Sequence, residues 1–233
     1  MSSYDRWAAD YDAWSGHMTD DLDWYVGLAR EAAEPIVELG VGTGRVAISI
    51  ARETGKRVIG IDASPGMLAV ARERAGDLPV ELRECDMRDL ELDEPVELVI
   101  CPFRSLMHLP TWADRRRVFE RVAAALRPGG RFAWNAFACS PAIVLRLHDR
   151  RIEHPDGLWE VSHFAPADSR VDLTLGRGEE ALGTESAWWL GRSEWEGLIE
   201  VAGLEVEALH GGFHREPFDD DALELVWVAR RPA

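Results

Sequence analysis

Val37-Glu38-Leu39-Gly40-Val41-Gly42-Thr43-Gly44-Arg45-Val46-Ala47 is the stretch whose reading decides the fold of this chain. The apolar run from Ile36 to Leu39 predicts a buried strand, and three glycines follow at alternate positions. Val46-Ala47-Ile48 with Ile50-Ala51 then opens a helix. A strand, a tight turn and a helix in this order make a cradle. Without Cβ atoms a ligand can lie directly on the turn, and the helix start offers it backbone N–H groups.

The residue at position 45 narrows the choice of ligand. A dinucleotide fingerprint G-x-G-x-x-G needs its third glycine there, against a pyrophosphate, and the chain has Arg45. The pattern E-x-G-x-G-x-G at Glu38 to Gly44 instead resembles the first motif of class I S-adenosylmethionine-dependent methyltransferases of the small-molecule type, those that methylate the amine of amino sugars among them. The resemblance implies S-adenosylmethionine as cofactor. It places Gly40 and Gly42 against the methionine end, lets Glu38 brace the loop, and has Arg45 either face the ligand carboxylate or stay structural. Two rival readings stay open: an NAD-linked oxidoreductase, and a protein that binds S-adenosylmethionine or its demethylated product without transferring methyl.

Downstream, Arg57-Val58-Ile59-Gly60-Ile61-Asp62 predicts a short buried strand that ends in a carboxylate. In alternating strand-helix folds the ligand sits at the carboxyl ends of the strands, where Asp62 can accept two hydrogen bonds from ribose hydroxyls. Ser64 and Pro65 cap and start the next helix. The resemblance puts Ala63 and Met67 against the adenine. It also gives Asp86, after the strand Val80 to Cys85, the exocyclic amine, and the Met87 N–H a ring nitrogen. Val96 to Cys101 predicts a fourth strand, with Cys101 counted among the cofactor contacts. The loop Pro102-Phe103-Arg104-Ser105-Leu106-Met107-His108 leaves that strand, so it faces the transferred methyl. His108 is the candidate for positioning the acceptor or removing its proton, because imidazole titrates near neutrality. A packed structural histidine is the competing reading. Arg104 is a candidate substrate contact.

Asp114 to Leu126 has helical periodicity, and Arg127-Pro128-Gly129-Gly130 breaks it before a strand over Arg131 to Phe137. The phrase Ala125-Leu126-Arg127-Pro128-Gly129-Gly130-Arg131-Phe132 also resembles the methyltransferase pattern. From residue 140 the pattern changes to a short helix over Ile143 to His148 and three strands, at Leu158 to Phe164, Arg170 to Leu175 and Thr184 to Leu190. Trp159, His163 and Trp188 of this part are candidate substrate-wall residues. A helix over Ser193 to Ala202 and strands over Leu204 to Leu209 and Leu223 to Ala229 complete the chain. The expected fold is therefore α/β, doubly wound and Rossmann-like. It has a seven-stranded, mostly parallel sheet, an antiparallel last hairpin and an inserted antiparallel β lobe. We expect one domain over 1–233: an N-terminal helical lid (1–33), a cofactor core (34–139), an inserted substrate or dimer lobe (140–191) and a C-terminal part (192–233).

The lid contains Trp7, Tyr11 and Trp14 at helical spacing, and in the resembling enzymes a tyrosine at the place of Tyr11 reaches the ligand. Tyr11 therefore joins His108 as a catalytic candidate as well as a cofactor contact. The formal charge of −16 argues against nucleic acid as partner, which needs clustered Lys and Arg. No run of about eighteen apolar residues predicts a membrane span, and no leader pattern opens the chain, so a cytoplasmic location is expected. The three cysteines follow no metal-ligand spacing, and Gly211-Gly212 breaks any helix that could pair His210 with His214. No metal is expected. The partner is a small-molecule methyl acceptor, with a homodimer possible through the lobe, and the chemistry is direct in-line displacement.

Overall fold

The computed structural model describes residues 3–6, 8–16 and 18–233. A 3₁₀ turn over Ser3–Arg6 and the helices α1 (Ala8–Ser15) and α2 (Leu22–Glu31) precede the first strand. Strands and helices then alternate: β1 (Ile36–Leu39), α3 (Arg45–Thr54), β2 (Val58–Asp62), α4 (Pro65–Ala75), β3 (Val80–Glu84), β4 (Val96–Cys101), α5 (Trp112–Ala125) and β5 (Leu126–Phe137). Next come α6 (Pro141–Leu147), β6 (Arg151–Glu153), β7 (Leu158–Ala165), β8 (Arg170–Arg177) and β9 (Glu180–Trp188). The chain closes with α7 (Arg192–Val201), β10 (Glu205–His210) and β11 (Glu224–Arg230).

Seven strands form one sheet in the order β10-β11-β5-β4-β1-β2-β3, and β6-β7-β8-β9 form a second, antiparallel sheet. In the large sheet β1 lies parallel to both β2 and β4, and β11 runs antiparallel to β5 and β10. All four residues of β1 are buried, as a strand with both faces covered requires. Alternate residues feed two cores. On one side Ile36 and Ala133 pack with Tyr25, Val26 and Ala29 of α2 and Val46, Ala47 and Ile50 of α3. On the other, Val37, Phe132 and Trp134 pack with Phe119 of α5 and Trp195 of α7. Trp134 stacks on Phe132 at 4.7 Å and on Trp227 at 5.9 Å between ring centroids.

The structure differs from the sequence reading at several boundaries. The second sheet has four strands where three were expected, because Arg151-Ile152-Glu153 is too short to show a period yet pairs with β7. Strand β5 begins at Leu126 and carries Pro128-Gly129-Gly130 within it, with an irregularity in its pairing to β4. In the N-terminal segment a 3₁₀ turn over Ser3–Arg6 precedes α1. Trp7 and His17 lie outside the described residues. Among the described residues no helix is long and apolar enough to cross a membrane.

A chain of buried polar contacts ties α2 to the end of the large sheet. The hydroxyl of Tyr25, itself fully buried, donates to Asn135 Oδ1 at 3.1 Å, and Asn135 Nδ2 donates to Glu224 Oε2 at 2.9 Å. Tyr25→Phe leaves the Asn135 oxygen without its donor and is expected to cost about 1–2 kcal/mol of stability. Urea denaturation measures this as a lower midpoint at constant m-value; an unchanged midpoint removes Tyr25 from the stabilising chain.

Candidate active site

The carboxyl ends of β1, β2 and β4 open into a cavity of ≈ 500 Å³, closed on the far side by α1 and the inner face of the second sheet. Gly40 and Gly42 line it, and with Gly44 they take positive φ values of 67°, 53° and 84°. A Cβ on Gly40 would meet Ser105 at 2.7 Å, whereas one on Gly42 would enter open space at the cavity wall. The turn is held by Asp62: its Oδ2 accepts the Gly42 N–H at 2.8 Å and its Oδ1 accepts the Ser64 N–H at 2.8 Å. Burial raises the Asp62 carboxyl above the ordinary range, and those backbone N–H groups pull it back. Ala63 and Met67 line the cavity beside it.

Further along the same wall stand Cys85, Asp86, Met87 and Arg88. Asp86 caps a 3₁₀ turn through the Arg88 N–H and forms an ion pair with the Arg88 guanidinium at 2.7 Å. That pairing holds its carboxyl below the usual range. Arg88 reaches on to Asp114 at 2.8 Å.

The loop after β4 supplies the opposite wall. Phe103 and Arg104 sit in succession at φ 55° and 65°. Non-glycine residues there cost about 1–2 kcal/mol each, a strain the packing around them must hold. The strain turns Arg104 onto Glu224 and over the Phe137 ring, 5.4 Å from its centroid. His108 lies at the end of the following turn. Its Nδ1 is 3.0 Å from the carbonyl of Ser186 on β9, and its Nε2 is 2.9 Å from the Tyr4 hydroxyl. A carbonyl only accepts, so Nδ1 carries the proton and Nε2 accepts from Tyr4. Burial lowers the His108 pKa below its ordinary value, so the ring is neutral at neutral pH. Burial likewise raises the Tyr4 hydroxyl.

The N-terminal segment crosses the cavity mouth and is tied on both sides. Asp5 Oδ1 accepts from the Ser64 hydroxyl at 2.6 Å and the Gly66 N–H at 3.0 Å, at the positive end of α4. Thr43 donates to Asp12 at 2.7 Å, and Trp14 Nε1 donates to Glu160 of β7 at 2.6 Å. Tyr4, Tyr11 and Trp14 all line the cavity.

Of the residues singled out from sequence, Tyr11, Gly40, Gly42, Asp62, Ala63, Met67, Asp86, Met87, Arg104 and His108 are gathered at this cavity. Six are not among its lining residues. Glu38 lies 2 % exposed beneath the turn, where the Ala47 N–H bonds to its carboxylate and burial raises its pKa. Arg45 turns away to a bidentate pair with Asp21, both contacts at 2.6 Å, and takes the Met18 carbonyl at 3.0 Å. Cys101 is fully buried in the strand. Trp159, His163 and Trp188 are off by one residue: Glu160, Ser162 and Phe164 of β7 and Glu185 and Ala187 of β9 face the cavity instead. Side chains alternate across a strand, so the neighbours face away. Trp159 lies under Arg151 at 4.4 Å, and His163 is exposed beside Asp149 at 2.8 Å.

Sequence reasoning missed Tyr4 and Glu160. The Tyr-Asp pair occurs twice, at Tyr4-Asp5 and Tyr11-Asp12, and the first copy was a usable signal. Glu160 carried none. Among the described residues, His148, Asp149 and His163 bring possible metal-ligand atoms within 4.8 Å on the outside of the second sheet. His148 Nδ1 already accepts the Phe164 N–H at 3.0 Å, so a metal on its Nε2 would leave the ring without a proton, which disfavours ligation.

The family described as "Methyltransferase domain" matches residues 36–130. The cypemycin N-terminal methyltransferase of a Streptomyces species is 27% identical over 205 residues, which cover 84% of this chain and 82% of that protein. Other relatives are matched over about half their length; methyltransferase GfsG of Streptomyces halstedii is 33% identical over 50% of this chain and 41% of its own. The CcbJ methyltransferase of Streptomyces caelestis superposes with a TM-score of 0.78 at 27% identity, over 92% of this chain and 95% of that one. An amino pentose methyltransferase from Micromonospora echinaspora, solved with S-adenosylmethionine bound, shares the fold with a TM-score of 0.66 at 23% identity, over 96% and 95%.

The Arg45–Asp21 pair braces the start of α3 from α2, with side chains 13% and 5% exposed. Arg45→Ala strands the Asp21 carboxylate and is expected to cost about 3–5 kcal/mol, while removing both partners costs less. A double-mutant cycle by chemical denaturation reads the difference, and additive losses would show that the pair is not coupled.

Proposed function

We propose that this chain, a class I S-adenosylmethionine-dependent methyltransferase of the small-molecule type, methylates an amine of its acceptor. The residues present suit the cofactor. Position 42 leaves room for a ligand directly on the backbone, and Asp62 keeps lone pairs beyond those its backbone donors take. In this reading Gly40 and Gly42 meet the methionine end, Asp62 the ribose, and Ala63, Met67, Asp86 and Met87 the adenine. Glu38 braces the turn from below, and Tyr11 closes the site from above. When bound, S-adenosylmethionine supplies a methyl group already activated on a sulfonium, so no covalent enzyme intermediate is required.

What remains for the protein is to orient an acceptor lone pair and to handle one proton. The observation that carries the amine reading is the relay from cavity to backbone: Tyr4 hydroxyl, His108 Nε2, and the Ser186 carbonyl on Nδ1. The Tyr4 oxygen takes a proton from the acceptor nitrogen while its own passes to Nε2, and the imidazolium stays anchored on Ser186. A histidine depressed by burial is too weak a base for an alcohol, whereas an amine attacks with its neutral lone pair and releases its proton afterwards. The N-terminal methyltransferase among the relatives and the amino pentose enzyme among the structures support an amine acceptor.

Asp62→Ala removes the acceptor of two backbone N–H groups and is expected to weaken S-adenosylhomocysteine binding by about 1–3 kcal/mol in calorimetry. Equal affinity would take Asp62 out of the ribose role. Tyr4→Phe and His108→Ala are each expected to lower turnover of small amines by about a hundredfold. The His108 pKa lies below its ordinary value, so wild-type activity holds through neutral pH and falls only as acid drives the pH through that lowered value. Initial rates with labelled cofactor across pH test this; O-methylated products, or a His108→Ala enzyme with the wild-type profile, would overturn the assignment.

A further inference from the structure

The second sheet supplies part of the cavity wall, where Glu160 of β7 lines it with a side chain 18% exposed. Its Oε2 accepts the Trp14 indole N–H at 2.6 Å, and His154 Nε2 stands 3.4 Å away. No arginine or lysine among the described residues pairs with it. The two arginines that do line the cavity are committed elsewhere, Arg88 to Asp86 and Asp114, and Arg104 to Glu224. A carboxylate withdrawn from water is costly unless a positive charge meets it, so the ligand is the natural source of that charge.

The surroundings suit a cation in a second way. Trp14 stands edge-to-face with Tyr11 at 5.8 Å and with Phe103 at 6.1 Å between centroids, so aromatic surface borders the carboxylate. Aromatic faces attract ammonium groups, more strongly where water is excluded. We propose that Glu160 and Trp14 form a subsite for a second, positively charged group of the acceptor, remote from the nitrogen that is methylated. Preferred acceptors are then diamines or larger amines with a distant ammonium. An amine joined to a phosphate or carboxylate would bring like charge onto Glu160 and is disfavoured. The inference rests on the amine reading above.

The test uses the full chain with three matched probe series: α,ω-diaminoalkanes of graded length, alkylamines of the same lengths, and ω-amino acids. Binding to the S-adenosylhomocysteine complex is measured by calorimetry, and methyl transfer with labelled cofactor. At the best length the diamine is expected to bind and react about tenfold to a hundredfold better than the alkylamine, with the ω-amino acid weakest. Glu160→Gln keeps an acceptor for the Trp14 N–H and removes the charge, and should bring the diamine-to-alkylamine ratio to about one. Glu160→Lys should shift preference toward the ω-amino acid. A wild-type enzyme that binds the diamine no better than the alkylamine, or a preference that survives Glu160→Gln, overturns the subsite. An ω-amino alcohol separates the two levels: O-methylation refutes the amine reading itself, and N-methylation without a diamine advantage refutes the subsite alone.

Discussion

A glycine turn at positive φ needs an acceptor that holds it in place, and Asp62 is that acceptor. It takes the Gly42 N–H with one oxygen and the Ser64 N–H with the other, so the ends of β1 and β2 share one carboxylate. This works only if the two strands are parallel neighbours in a fixed register. They are: Leu39 stands opposite Ile61, and the Val41 N–H bonds to the Ile61 carbonyl at 3.0 Å. Close approach is needed as well, since a Cβ on Gly60 would meet Val41 at 2.7 Å. The contact thus depends on the order of the parallel strands and in turn fixes the turn against the end of β2.

The glycine-turn side of the cavity was legible in the sequence because its parts are local and typed. A strand, a glycine turn and a helix announce themselves by period and by residue, and Asp62 ends the next apolar run. The antiparallel ending and the second sheet were legible on the same grounds. Arg45 was not. Its partner Asp21 belongs to the segment before β1, and nothing near Arg45 in sequence says that a guanidinium beside the turn is already engaged.

The acceptor side resisted reading for a different reason. Tyr4 meets His108, His108 meets Ser186, and Trp14 meets Glu160, all between segments far apart in the chain. Tryptophan and histidine in the second sheet drew attention by type, yet a strand sends alternate residues to opposite faces, and parity decided. Glu160, Ser162 and Phe164 are inward; Trp159 and His163 pack or face solvent on the other side. Which parity faces in depends on how the sheet docks on the cavity, and β7 carries polar residues in both sets.

The N-terminal segment couples these two sides. An eight-residue α1 is too short to hold itself, so its order comes from docking. Its ties are polar and divided: Asp5 to α4, Asp12 to Thr43 and Arg74, Asp10 to Arg177, and Trp14 to Glu160. Exposed ion pairs such as those of Asp10 and Asp12 contribute only about 0–1 kcal/mol each, so the docking rests chiefly on the apolar packing of Trp14 with Leu158 and Leu175. Tyr4, Tyr11 and Trp14 line the cavity from this segment. Burial is what depresses His108, and Tyr4 of this segment meets its Nε2, so the neutral, oriented imidazole depends on that docking. The docked segment therefore completes both the Tyr4–His108–Ser186 chain and the Trp14–Glu160 contact, while the glycine turn and Asp62 are built on the sheet alone.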